Sequence, residues 1–400
     1  MLSRGQTLML LVIALLVFGV IMVNSAGIAI EVEEGTYLGR VLFSRAALFA
    51  LLAIGAMILG ACVPLDQLYR ARGVNSPMPW IIVGMVVLLL LVYVPGIGRE
   101  ANNSRRWISA GGLGFQPSEV AKWGVLIVIA WYAARRAGAM GRIGTGFMPP
   151  LLLLGGLCAV IAIEDLGTAV LIAVVGMAVL MAGGVKLWQV ALLVPVGIVG
   201  FIGAVLHSEY RVRRLLAYTN PFDDPQGVGY HIIQSMAAVT NGGLAGRGLG
   251  NGVRKFGYLP EDTTDFIYAI VCEELGVFGA AFVIFLYIGI LFVGYLVIRG
   301  LTHPFLRLLA LGILLTIGVQ AIINIAVVTG AAPTKGIALP LVSRGGTGWI
   351  LTAFSVGLLI WMDRHGHRMT LPLSEHRTHE PKRAEHPVPN ASGGITPAVA

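Results

Sequence analysis

Few residues in this chain of 400 can do chemistry, since only 12% are charged, and five carboxylates stand together with an apolar run in Tyr258–Gly276, YLPEDTTDFIYAIVCEELG. There Glu261, Asp262, Asp265, Glu273 and Glu274 flank an apolar run. Carboxylates at a membrane boundary are costly to keep, which makes each a candidate for function. Asp265 follows Thr263 and Thr264 and precedes Phe266-Ile267-Tyr268-Ala269-Ile270-Val271, where a polar loop turns into an apolar helix. Two readings are open: Thr264 or Asp265 caps that helix by accepting from its first free N–H groups, or the Asp265 carboxylate does chemistry.

Four further clusters hold polar groups that could form a site. Arg105, Arg106 and Trp107 precede Gln116, Pro117, Glu119 and Lys122. Pro117 suits a helix start, and Glu119 and Lys122 are neighbours on one helical face. An internal ion pair below a Trp-anchored interface and a site for an anionic ligand are both open readings. Glu164 and Asp165 separate two apolar runs, Glu164 reading as an exposed tight turn and Asp165 as a site candidate. A long polar stretch, roughly 208–264, holds Gln234, Arg247, Arg254, Lys255 and the glycine-rich Asn241–Gly252. No strand or βαβ unit surrounds those glycines, so a dinucleotide loop is excluded, and backbone lying close to a lipid head group is the better account. Finally, Lys335 in Pro333-Thr334-Lys335-Gly336, and Ser343-Arg344, precede the last apolar run.

The elements that must position these groups are membrane helices. The chain is 56% hydrophobic with a mean hydropathy of +0.83, and many apolar runs approach the length of about 20 residues that crosses a bilayer. The runs are continuous instead of alternating, which excludes a β-barrel. The sequence predicts an all-α polytopic protein with about ten spans near 7–29, 44–64, 79–97, 117–135, 147–163, 167–184, 187–207, 267–299, 305–329 and 341–362. The first run is too long for a signal-peptide core and is read as an uncleaved span. An even number of spans puts both termini on one side, and the arginine-rich short loops and tail make that side the cytoplasm. Arg99, Arg105, Arg106, Lys122, Lys335 and Arg344 then lie on or near the exterior, against the positive-inside trend, as a site for an anionic ligand requires. The +8 net charge is dispersed, with no basic helix or stacking motif for nucleic acid. Cys62, Cys158 and Cys272 sit in or beside apolar runs as small core residues, with no disulfide or metal spacing. The membrane domain is expected over residues 1–363, and 364–400 is expected to be a disordered tail without metal binding by its histidines.

Four ordered segments between Arg99 and Thr347 carry a resemblance. RRWI with QPSE-x-AK, DLGT at Asp165–Thr168, DP-x-G-x-GY with GG-x-x-G-x-GLG leading into YLPE, TDFI and EELG, and PTKG before LPLVSRGGTG are similar to the signatures of the SEDS (shape, elongation, division and sporulation) family, the FtsW and RodA type of peptidoglycan glycosyltransferase. PTKG leans toward the division-type branch. The chain departs from the family pattern at Gly114, Glu164 and Arg344. The resemblance implies polymerisation of lipid II, an undecaprenyl-diphosphate-linked disaccharide-peptide, at the outer face of the cytoplasmic membrane, with Asp265 as general base. For that chemistry Arg105, Arg106, Lys122, Lys335, Lys255 and Arg344 are the candidates to hold the diphosphate, Trp107 to pack on sugar or lipid, and Glu261 to orient the loop. Gln116, Glu119, Gln234 and Ser343 complete the expected substrate-binding set. Glu273 and Glu274 are expected to pair with Lys122, Lys335 or Arg344. No built-in cofactor or protein metal site is expected, although a divalent cation (Mg²⁺ or Mn²⁺) can arrive with the diphosphate. The implied partners are a class B penicillin-binding transpeptidase and other division-complex membrane proteins. A lipid II flippase and a non-catalytic scaffold are the alternatives from other functional classes.

Overall fold

A computed structural model describes residues 2–27, 37–71, 73, 76–101, 104–110, 113–255, 263–344 and 346–366. Its helices are α1 (Arg4–Ala26), α2 (Tyr37–Leu42), α3 (Arg45–Gly60), α4 (Leu65–Arg70), α5 (Pro77–Leu91), α6 (Pro117–Arg135), α7 (Met148–Glu164), α8 (Leu166–Ala182), α9 (Leu187–Leu206), α10 (Glu209–Thr219), α11 (Tyr230–Gly242), α12 (Ile267–Gly300), α13 (Pro304–Val328) and α14 (Thr347–His365). Every apolar segment picked out from the sequence contains one long helix. Ile143–Glu164, which is α7 with the π-helical turn before it, and α1, α9, α12 and α13 are long and apolar enough to cross a membrane, while α3, α5 and α8 are shorter apolar helices. The protein is therefore a multi-pass membrane protein, its backbone polar groups satisfied within helices.

Local chemistry sets the helix starts. Ser3 and Gln6 form a reciprocal capping box on α1, Ser3 Oγ accepting from Gln6 N and Gln6 Oε1 from Ser3 N. Ser44 caps α3, and Pro77, Pro117 and Pro304 occupy first-turn positions where no N–H is missed. Close packing follows from small residues: α3 and α14 cross where a Cβ on Gly60 would lie 2.3 Å from Phe354 O and one on Gly357 2.1 Å from Met57 O. At one end of the bundle Arg4 Nη1 donates to Leu296 O and Gly5 N donates to Asp363 Oδ2, which brings together the start of α1 and the ends of α12 and α14.

The opposite end departs from the all-α expectation. The segment after α5 forms a three-stranded antiparallel sheet of β1 (Gly98–Ala101), β2 (Ser104–Ala110) and β3 (Leu113–Phe115). Arg99 pairs with Trp107 and Ile108 with Phe115, and a register shift falls between Arg99 and Glu100. The long polar stretch likewise carries α10 and α11 within it. The last helix begins at Thr347 and not near 341, because Leu341 takes a φ of 63° and the chain turns there. The tail from residue 367 onward lies outside the described residues.

The glycine-rich stretch does something other than expected. α12 is broken at Gly276, whose φ is 63° and ψ −158°. Into the break fits the chain after α11: Val277 N donates to Gly243 O, Arg247 N to Glu273 O and Gly248 N to Glu274 O. The carboxylates beside the break are fully buried and fully used. Glu273 accepts from Val253 N and Arg254 N. Glu274 accepts from Ser25 Oγ at 2.6 Å, Gly250 N at 3.0 Å and Lys255 Nζ at 2.9 Å. The expected partners Lys122, Lys335 and Arg344 are thus replaced by Lys255 and by main-chain N–H groups, which solvate the buried charge as water would. Gly242 and Gly246 approach this helix break closely, a Cβ on them falling 1.8 Å from Cys272 O and 2.2 Å from Glu274 O.

Candidate functional site

Asp265 stands two residues before the start of α12, in the turn Thr263–Phe266. Across from it runs a helix-free strap between α13 and α14, tied down by side chains from several directions. Tyr287 Oη donates to Pro340 O, Gln320 Nε2 to Ala338 O, Arg214 Nη1 to Thr334 O and Tyr218 Oη to Ala331 O. Arg344 N donates to Thr263 O at 2.8 Å, joining the strap to the turn that carries Asp265.

Two cavities meet at this point. The smaller, about 240 Å³, is lined by Trp107, Gln116, Glu119, Thr264, Ser343, Arg344 and Trp349 among others. The larger, about 1320 Å³, runs between the ends of α7 and α9, α10 and the strap, with Phe201, Val205, Leu215, His231 and Lys335 in its wall. Arg106, Asp265 and Gly336 line both. A Cβ on Gly336 would lie 3.2 Å from Asp265 Oδ2 and 3.6 Å from either terminal nitrogen of Arg106, so carboxylate and guanidinium face the same small patch of backbone.

Arg106 is aimed by Asp165, whose Oδ2 lies 3.6 Å from Arg106 Nη1. Asp165 is itself fixed as the N-cap of α8, accepting from Thr168 N and Thr168 Oγ1, and Gln116 Nε2 donates to it at 3.3 Å. Glu164 is no plain turn: it accepts from Arg105 N at 2.7 Å and pins β2 to the end of α7. Lys335 Nζ lies 5.5 Å from the centre of the Phe201 ring. Burial lowers its pKa below the usual lysine value, an effect that the negative charge of Asp165 partly offsets. Arg211 spends its guanidinium on Ala162 O, Ile163 O and Ala204 O, carbonyls at the C-terminal ends of α7 and α9.

The structure divides the expected site residues. Asp265, Arg106, Trp107, Gln116, Glu119, Ser343, Arg344 and Lys335 line one or both cavities, and Arg105 lines a small crevice beside Tyr93 and Glu164. Ser343 is fully buried and accepts from Leu339 N, closing the turn of the strap. Three expected contacts are turned inward. Lys122 is 2% exposed and bound to both oxygens of Glu119 and to Gln320 Oε1, and thus forms an internal ion pair. Lys255 is committed to Glu274, Ser25 O and Gly250 O. Gln234 accepts from Arg254 Nη1. These three line neither cavity because the charged or amide end of each is satisfied by the protein. Glu261 lies outside the described residues. Gly114 packs 3.5 Å, at its would-be Cβ, from the Trp107 ring. Sequence reasoning missed Gln320 and Asn324, whose available signal is a pair of amides four apart in an apolar helix. It also missed His231, which stacks on Phe266 at 5.8 Å. Among the described residues no group of three or more His, Cys, Asp or Glu is placed to hold a metal ion.

These features define a class: a multi-pass membrane protein with a carboxylate and cations gathered at one end of its helices, where two cavities of mixed polar and apolar lining meet. The sequence profile of the FtsW, RodA and SpoVE cell cycle proteins matches residues 6–368, and the chain belongs to that family. It is 38% identical over 354 residues to a protein of Geobacter metallireducens named "Probable peptidoglycan glycosyltransferase FtsW", covering 88% of this chain and 92% of that one. A protein of the same name from Halorhodospira halophila is 35% identical over 388 residues, 94% of each. A solved structure described as "Structural coordination of polymerization and crosslinking by a peptidoglycan synthase complex" is similar with a TM-score of 0.71 and 25% identity, covering 90% of this chain and 98% of that one. The rod shape determining protein RodA of Thermus thermophilus shares the fold, with a TM-score of 0.61 at 22% identity, over 90% of this chain and 96% of its own.

Proposed function

We propose that this protein is a peptidoglycan glycosyltransferase that polymerises lipid II in septal cell-wall synthesis, with Asp265 as general base. The observation that carries the reading is the placing of Asp265 and Arg106 together where the two cavities join. The larger cavity offers apolar walls and the cation of Lys335, which suit a polyprenyl diphosphate; the smaller offers amide, carboxylate and indole groups, which suit a sugar. Asp265 removes the proton from the acceptor hydroxyl as its oxygen forms a bond to the anomeric carbon of the donor. The bond from that carbon to the diphosphate breaks, and the departing electron pair goes onto a diphosphate stabilised by Arg106 and Lys335. A single displacement inverts an α-linked donor into a β-linked product.

With the site at the end of the bundle opposite Arg4, both termini are cytoplasmic and the site opens on the exterior, a topology that the arginine-rich short loops support. A divalent cation arriving with the diphosphate would find Asp265 as its protein ligand, a role one or two carboxylates commonly fill for Mg²⁺. The partner is a class B penicillin-binding transpeptidase, as the synthase complex with the same fold supports. Transport of lipid II is the competing reading, but a transporter holds its polar site near the midplane between broken repeats, whereas these groups sit at one end.

Purified protein given labelled lipid II, alone and with its transpeptidase, tests both. Glycan strands from the wild type and none from Asp265→Asn are expected. Equal strands from both would remove the base, and lipid II crossing vesicles without any polymer would install the transport reading.

A further inference from the structure

Near the end of α13, two side-chain amides one turn apart point from an apolar helix at the site. Gln320 Nε2 donates to Ala338 O at 2.8 Å. Asn324 Nδ2 divides its two protons between Asp265 O and Ile337 O, each at 2.8 Å. Asn324 is 1% exposed, and its Oδ1 finds no hydrogen-bond partner among the described residues. Ile337 directly follows Gly336, the residue that faces the Asp265 carboxylate. One buried amide thus ties the backbone of the base to the backbone of the wall that stands opposite that base.

We propose that Asn324 is the positioning residue for Asp265, holding the carboxylate at its distance from the strap where the two cavities join, with Gln320 fixing the next carbonyl along. This rests on Asp265 being the base. A residue present for packing alone would carry no buried oxygen lacking a partner, since an apolar side chain of the same volume fills space without that burden. The carboxamide places two donors on one uncharged nitrogen and so holds both carbonyls at once without burying a charge. Asn324→Asp keeps the shape and loses this capacity. Lys122 reinforces the arrangement by donating to Gln320 Oε1 at 3.0 Å, which turns the Gln320 amide nitrogen toward the strap.

The test measures lipid II polymerisation at several substrate concentrations, with melting temperature, for Asn324→Ala, Asn324→Asp, Gln320→Ala, Asp265→Asn and the double variant Asn324→Ala/Asp265→Asn. Misplacing a catalytic group costs up to about 100-fold, so kcat is expected to fall at least about tenfold in both Asn324 variants with KM within about twofold. Gln320→Ala should lose less, and the double variant should be no worse than Asp265→Asn. Asn324→Ala at wild-type kcat while Asp265→Asn is dead overturns the positioning role alone. Asp265→Asn at wild-type rate overturns the base reading first. A loss in the Asn324 variants that rises with KM, or that vanishes below a lowered melting temperature, makes Asn324 merely structural. Should Asn324→Ala not fold, Asn324→Asp decides by the same kcat and KM criteria.

Discussion

Adding one methyl group at Gly336 tests the geometry of the site most directly. The φ of Gly336 lies outside the left-handed region, so alanine meets no backbone penalty there. Its Cβ would stand 3.2 Å from Asp265 Oδ2 and 3.6 Å from both terminal nitrogens of Arg106. The first contact is short by a few tenths of an ångström, and the carboxylate, as the movable end, gives way. A displacement of about 1 Å costs about 100-fold in rate, so one of a few tenths costs about three- to tenfold, roughly 1 kcal/mol on the barrier. Gly336→Ala should therefore lower kcat for lipid II polymerisation by that factor while the melting temperature in detergent stays within about 1 °C of the wild type, because a side-chain tip moves and no packing is lost. Gly336→Val should lose more. A wild-type kcat in Gly336→Ala at unchanged stability would refute the placing of the Asp265 carboxylate across from the strap. A fall in activity matched by a fall in melting temperature would assign the effect to folding.

Other perturbations separate scaffold from site. Lys255→Met leaves Glu274 buried without its cation, both side chains being fully buried, and should cost about 3–5 kcal/mol, read as a lower melting temperature; an unchanged melting temperature would deny the pair its structural role. Gly276→Ala forces a side chain onto a φ of 63° with its Cβ 2.4 Å from Gly246 N; a loss beyond about 1–3 kcal/mol is expected in the same assay, and wild-type stability would contradict the seating of the loop in the break. Lys335 has a pKa lowered by burial, partly restored by Asp165. It loses its proton earlier than an ordinary lysine as pH rises, so KM for lipid II should climb on the alkaline side, and Lys335→Arg, which stays protonated, should keep KM flat there. Identical alkaline limbs in the two proteins would remove Lys335 from substrate binding.

The helices were legible because lipid leaves a chain few alternatives: a run of apolar residues of sufficient length is a helix whatever its neighbours do. Residues 98–115 were not read as a sheet, although Asn102-Asn103 and Gly111-Gly112 punctuate them at the spacing of two tight hairpins, because a loop between two apolar runs is read first as a connector. Asp265 was legible from its motif and from being a carboxylate at the head of an apolar run. What the sequence could not show is which basic groups are already occupied. Lys122, Lys255 and Lys335 look alike in one dimension, each a lysine near an exterior boundary. Their difference lies in their partners: Glu119, three residues away and already one of two open readings from the sequence, for Lys122; Glu274, nineteen residues on and brought up by the fold, for Lys255; and an aromatic ring for Lys335.

That difference is what separates a binding group from a buried strut. A cation whose donors are all met by carboxylates and carbonyls has no remaining capacity for a ligand, and removing it exposes an unpaired charge, so its loss is felt in stability. Lys122 and Lys255 are of this kind, each with three partners for its three donors. A cation set against a ring and a cavity has surrendered more hydration than the nearby Asp165 charge restores, which burial registers as a lowered pKa. Such a group gains most when a diphosphate arrives, and Lys335 fits that description. Arg106 lies between the two kinds, oriented by Asp165 at a distance of 3.6 Å, longer than a direct hydrogen bond, yet still lining both cavities. An arginine held in place but not used up is suited to meet negative charge as it develops on a leaving group, since its orientation is fixed before the substrate binds.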